Sequence, residues 1–215
     1  MANLITVARV VLLFITVGFI YLGWPQNGGQ GDPIWLLVAT LLTLVVFVAD
    51  ALDGVVARAR GEANALGAVI DIAGDRIVEN AYWIVFAALG LLSVWFPLIQ
   101  ITRSFTVDAV RALALSQGKT AFGENTMMQS KFGTWLAASR LNRGLYGSAK
   151  VITFIWLLLE MALAVQIGRS AEWAQKYGNL LSTMQTIGII LAVFTILYSV
   201  LRGAVVVWDS RRYWS

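Results

Sequence analysis

The chain has 215 residues, of which 59% are apolar and 13% charged, where a soluble domain has about 45–50% and about 25%. It contains no Cys and no His, which excludes disulfides, thiolate chemistry, and imidazole as a general base or zinc ligand. The net charge of +4 gathers in particular loops, with no stripe on a soluble face, so it reads as membrane topology and excludes a nucleic-acid partner.

Apolar runs of the length needed to cross a hydrocarbon core of about 30 Å predict helices near 4–22, 34–58, 66–92, 97–115, 145–166 and 183–207. The first run lacks a basic leader and a small-residue cleavage site, so it reads as a retained helix and not a signal peptide. Pro25 with Gly28, Gly29 and Gly31 breaks the chain after it. Gly61 and Pro97 mark the next two breaks, and Gly168 and Gly178 are weaker interruptions before the last run. Trp24, Trp35, Trp95 and Trp173 fall near predicted helix ends, where interface aromatics belong. The expected fold is an all-α integral membrane protein, six transmembrane helices in a single domain over 1–215. Arg9, Arg58, Arg60, Lys119, Lys131, Arg140, Arg143, Arg202, Arg211 and Arg212 fall on one side, and only Arg169 and Lys176 clearly on the other. The positive-inside rule then places both termini, and the long basic loop near 116–144, in the cytoplasm.

The segment from Asp50 to Asp75 carries the chemistry. Asp50 and Asp53 are three residues apart, Asp71 and Asp75 four, so each pair shares a helix face. Folding the chain about residue 62 sets Asp53 opposite Asp71 and Asp50 opposite Asp75. Four carboxylates at similar depth are costly, since one Asp at a helix centre costs about 2.5–3.5 kcal/mol on insertion scales. Arg58 and Arg76 offset part of this, and one or two divalent cations would offset more. Without His or Cys, the metals are hard ones: Mg²⁺, Mn²⁺ or Ca²⁺. Gly54, Ala57, Gly67 and Ala68 keep the same surface small, with room for another backbone or a flat ligand. A single intramembrane Asp is often just the partner of a nearby Arg, but four in register across a hairpin are not explained that way. The non-enzymatic alternative is a cation or proton transporter, since intramembrane acids also line transport routes.

Asp50-Ala-Leu-Asp53-Gly54-Val-Val-Ala57-Arg58, followed after eight residues by Gly67, then Asp71 and Asp75 at intervals of four, resembles the full signature of the CDP-alcohol phosphotransferase (CDP-alcohol phosphatidyltransferase) family. A chance match to its eight fixed positions is on the order of one in a billion per start position, given ordinary residue usage. The resemblance implies transfer of a phosphatidyl group from CDP-diacylglycerol to an alcohol, with release of CMP, in a bacterial or archaeal cell membrane. By the same resemblance Asp50, Asp53 and Asp71 ligate Mg²⁺ or Mn²⁺ on the diphosphate, as one or a pair of ions. Asp75 holds metal and serves as general base for the acceptor hydroxyl. Gly54, Ala57 and Gly67 leave space for the cytidine nucleotide, Arg58 borders its phosphates, and the enzyme is a homodimer among membrane lipids.

The acceptor is less sharply marked. Asn3-Leu-Ile-Thr6-Val-Ala-Arg9, and Arg103 with Arg111, resemble phosphatidylglycerophosphate synthases, whose acceptor is glycerol 3-phosphate. The stretch Gly67 to Ile77 is closer to phosphatidylinositol-phosphate synthases, which use an inositol phosphate; Ile72 and Arg76 stand where the glycerophosphate enzymes commonly carry Pro and Lys. Both acceptors carry a phosphate. Arg103, Arg111, Arg140, Arg143 and Lys150 are the candidate residues to bind it, with Lys131 weaker, because guanidinium forks suit phosphate oxygens. The plain alternative for Arg140 and Arg143 is that they only mark the cytoplasmic side. Glu79 and Asp108 read as partners of nearby arginines, and Glu160, deep in the fifth predicted helix, has no evident role.

Overall fold

The computed structural model describes residues 2–26, 29–60, 65–120 and 126–211, with the side chains of 2–4, 51–60, 65, 66 and 68 left aside. Its long helices are α1 (Ala2–Gly23), α2 (Pro33–Arg60), α3 (Ala65–Ala88), α4 (Trp95–Ser116), α6 (Arg140–Gly168) and α7 (Ala171–Ser210). A short turn, α5 (Lys131–Gly133), runs into a π-helical turn at Thr134–Ala138. The protein is all-α and integral to the membrane. Four stretches are long and apolar enough to cross by themselves: Ile5–Gly23, Pro33–Asp50, Arg140–Gly168 and Ala171–Ser210. Helices α3 and α4 are as long but carry more charge, with Asp71, Asp75, Arg76 and Glu79 on α3 and Arg103, Asp108 and Arg111 on α4. Bulky apolar side chains stand outward, as they do against lipid: Phe14, Leu41, Phe105 and Leu197 are each more than 60% exposed.

Helix ends differ from the sequence reading where local geometry overrides hydropathy. The apolar run predicted to 92 stops at Ala88, because Gly90 takes φ +79° and the N–H groups of Leu91 and Leu92 return to the carbonyl of Phe86. Pro97 lies within the first turn of α4, where its missing N–H has no intrahelical partner to lose. Gly168 ends α6 but Gly178 does not break α7, which begins twelve residues before the predicted 183. The added stretch carries Glu172, Gln175, Lys176 and Asn179, so hydropathy alone leaves it out. At 40 residues, α7 is about 60 Å long, twice a hydrocarbon core.

Packing divides the chain into two units, Met1–Val85 with Val151–Ile190, and Phe86–Lys150 with Leu191–Ser215. In the first, α1 packs on α2 through a tight connection. A Cβ on Gly23 would meet Leu36 at 2.6 Å, and Asp32 caps α2 by accepting from the N–H of Ile34 at 3.0 Å, with Pro33 next to it. The core holds Tyr82 stacked on Phe154 at 4.9 Å with Trp83 edge-on to the same ring, and Tyr82 shares a 2.8 Å hydrogen bond with Thr43. Trp156 on α6 donates to the carbonyl of Met184 on α7.

In the second unit the end of α7 ties down the connection to α5. Asp209, 7% exposed, accepts through Oδ2 from the N–H groups of Gln129 and Ser130 and from the Ser130 hydroxyl. Gly133 packs against that carboxylate with no room for a Cβ. Asp209→Ala leaves these donors unsatisfied beside a small cavity and is expected to destabilise this protein by about 2–4 kcal/mol. A lowered unfolding temperature in detergent checks this; an unchanged one removes the tie from the account.

Candidate functional site

The sequence places Asp50 near the end of α2 and Asp71 and Asp75 one turn apart on α3. The packing of these two helices brings one carboxylate oxygen from each of the three to within 4.8 Å of the others. Asp53, Gly54, Ala57 and Arg58 lie on α2 near Asp50, but their side chains are outside those described. Gly67 stands on α3 one turn before Asp71. The three carboxylates remain partly open, between 37% and 52% exposed.

The sequence reading of Arg9 as a topological marker misses what the structure places there. Arg9 is 3% exposed and points its fork into the acidic cluster. Nη1 donates to Asp50 and stands 3.7 Å from Asp71, and Nη2 donates to Asp75 at 2.8 Å. Gly74 permits the approach: its Cβ position lies 2.5 Å from Thr6 Cγ2, so α1 meets α3 within one turn of Arg9. Asn3–Arg9 was the signal that could have found this contact. Arg76 has Glu79 at 3.4 Å, the arginine pairing read from the sequence for that acid.

The donor set suits a hard divalent cation. Oxygens bound to one Mg²⁺ at about 2.1 Å lie about 3–4 Å apart, so oxygens already within 4.8 Å need only small side-chain rotations to close on one ion. The all-carboxylate chemistry points the same way.

The basic residues belong to the second unit. Tyr146 on α6, 7% exposed, has three cations around its ring: Lys150 Nζ at 4.8 Å, the Arg202 guanidinium at 5.3 Å and that of Arg103 at 5.8 Å. Such contacts favour each cation over the ring face, but three positive charges at one ring repel one another. Arg103 Nε donates to the carbonyl of Ser199 at 3.1 Å, and Arg202 donates to the carbonyls of Asn142 and Ala137. Neither arginine has a carboxylate partner among the described residues. Arg202, like Arg9 read from sequence as a marker of the cytoplasmic side, is 5% exposed. Tyr146 also bonds to Ser199, which donates to Gln100, so α4, α6 and α7 hold the ring together. Arg103 opens onto a groove of about 370 Å³ lined by Leu98, Ile99, Val107, Val200 and Val207.

Arg111 lies 3.8 Å from Asp108 on the same helix, while Arg140 and Arg143 are exposed in the first turn of α6, and Lys131 is exposed on α5. Arg140, Arg143 and Lys150 all lie on one continuous helix, α6. Glu160, 8% exposed, leaves Oε2 without a partner among the described residues, packed where a Cβ on Gly188 would stand 2.6 Å away.

Fold and site together define an all-helical integral membrane protein with three carboxylates gathered from α2 and α3. The chain belongs to the CDP-alcohol phosphatidyltransferase family, whose sequence profile matches residues 1–210. Among its relatives is a protein of Mycobacterium tuberculosis (strain H37Rv) named as a phosphatidylglycerophosphate synthase. The two are 25% identical over 118 residues, covering 55% of this chain and 54% of the relative. A protein of Mycobacterium bovis named as a cardiolipin synthase is 34% identical over 82 residues, 37% of this chain and 39% of that one. The chain thus matches about half the length, or less, of these curated relatives.

Proposed function

We propose that this chain transfers the phosphatidyl group of CDP-diacylglycerol to glycerol 3-phosphate, releasing CMP. The convergence of Asp50, Asp71 and Asp75 within 4.8 Å, on the family's own motif, carries this reading. A divalent metal held there, Mg²⁺ or Mn²⁺ as one ion or a pair, would neutralise charge on the diphosphate. The remaining work falls to the chain's side chains. Asp50, Asp53 and Asp71 would hold that metal and, through it, orient the diphosphate. Gly54, Ala57 and Gly67 leave the α2–α3 surface small beside the nucleotide, and Arg58 borders its phosphates. Asp75 Oδ takes the proton of the acceptor hydroxyl as that oxygen bonds to the phosphorus bearing the diacylglycerol. The bond from that phosphorus to the bridging oxygen breaks, and the oxygen leaves with CMP.

The acceptor assignment draws on three observations. One relative is named as a phosphatidylglycerophosphate synthase, Asn3–Arg9 resembles the opening of such enzymes, and Arg103, Lys150 and Arg202 gather without a carboxylate to balance the two arginines. Arg111, Arg140 and Arg143 are further candidates to meet the acceptor phosphate. Inositol phosphate is the second reading, favoured by the stretch Gly67–Ile77. The positive-inside count supports cytoplasmic termini, although Arg9 and Arg202 leave that count because both are buried, and the six long helices support six crossings in one domain. The family resemblance further supports a homodimer in a bacterial or archaeal cell membrane.

CMP release decides among these. Purified protein with Mg²⁺ or Mn²⁺ and CDP-diacylglycerol is expected to release CMP on addition of glycerol 3-phosphate, with release abolished by EDTA and restored by excess metal. An inositol phosphate and phosphatidylglycerol form the other arms of the panel. Release with one of those alone replaces the acceptor, and release with none favours a cation-transport role for the same acids.

A further inference from the structure

Three carboxylates that close on a point repel one another unless a cation stands among them. In this fold a cation is already supplied by the chain. The hydrogen bonds of the Arg9 side chain among the described residues go to Asp50 and Asp75, with Asp71 at 3.7 Å, and its buried Nε has no partner. Among the described residues the guanidinium is therefore held by the acids and by no neutral partner. Its position is built in, because α1 packs against α3 at Gly74, which has no side chain to stand in the way of Thr6. A guanidinium and a divalent ion both seek the same few oxygens, and a positive charge in contact with a ligand set weakens its hold on any second cation.

We infer that Arg9 is a built-in counter-ion that competes with divalent metal for Asp50, Asp71 and Asp75. It keeps the carboxylates assembled in the metal-free chain and yields them as metal enters. The inference rests on the reading of these carboxylates as metal ligands. Two consequences follow from the competition. The site folds without metal, and its metal affinity is lower than three carboxylates alone would give. A residue that instead braced the ligands from behind would have the opposite effect, because removing outer-shell support typically weakens metal binding.

Mn²⁺ titrated into the purified full chain in detergent, without substrates and followed by the EPR signal of free Mn²⁺, separates these cases. Wild type is expected to bind, and Arg9→Gln to bind about tenfold more tightly or better, as removal of a contacting unit charge from a partly buried site implies. In EDTA, Arg9→Gln is expected to unfold at a lower temperature than wild type, and saturating Mn²⁺ to close that gap, since a ligand of the native state stabilises it. Arg9→Lys keeps the charge but loses the two-pronged reach, so its affinity falls between the two. It decides the matter alone should Arg9→Gln not fold. Binding by the variants that is equal to or weaker than wild type overturns the competition while leaving the metal site standing. Absence of Mn²⁺ binding in wild type and variants alike overturns both.

Discussion

Asp75→Asn and Asp71→Asn are each expected to lower kcat for CMP release by about 10³-fold or more, with the protein still inserted and monodisperse. Asn preserves side-chain volume and one acceptor oxygen, so the packing of α3 has no reason to change. What it removes is charge, and at Asp75 also the oxygen proposed to take the proton of the acceptor. Asp75→Asn has a second consequence: if its amide turns the wrong way, it sets an N–H against Arg9 Nη2, which now donates to Asp75 Oδ1 at 2.8 Å. A general base commonly contributes about 10²–10⁴-fold, and loss of a ligand that also cancels phosphate charge adds to this. Rates at saturating CDP-diacylglycerol and acceptor, over a range of metal concentrations, make the measurement. Excess metal should rescue Asp71→Asn in part and Asp75→Asn not at all, because only the latter loses the proton acceptor. Near-normal turnover in both variants would remove the carboxylates from the reaction.

Arg103→Ala is expected to raise the KM for the phosphorylated acceptor by about 10–100-fold with a smaller change in kcat, the size of one charge-assisted hydrogen bond to phosphate. The side chain is suited to the task. Its Nε is committed to the Ser199 carbonyl, and its two terminal nitrogens make no hydrogen bond among the described residues. It stands beside an open groove, and Arg202 and Lys150 approach the same Tyr146 ring. An anion would relieve the repulsion among them. Acceptor saturation curves for wild type, Arg103→Ala and Arg103→Lys, at fixed saturating donor, give the test. The lysine variant should recover part of the loss, since it restores charge without the fork. An unchanged KM in Arg103→Ala would confine the residue to its packing role against Ser199 and Gly203.

The sequence by itself determined the class of protein and the heart of its site. Apolar length and the scarcity of charge are properties of consecutive residues, so the membrane helices can be read directly. The spacings of Asp50 with Asp53 and of Asp71 with Asp75 fix shared faces through the helical repeat alone. Helix ends were less legible at 88–92 and 171–182, because hydropathy does not register a left-handed glycine or a polar first turn. Only the tertiary structure decided which charges meet. Arg9 lies 41 and 66 residues from the aspartates it bonds, and Arg103 lies 96 from the Ser199 carbonyl that holds it. Positive charge near a helix end looks alike in a sequence whether it faces water or an acid on another helix. The difference arises from how closely helices approach, and that depends on small contacts such as Gly74 against Thr6, which no spacing within a single helix encodes.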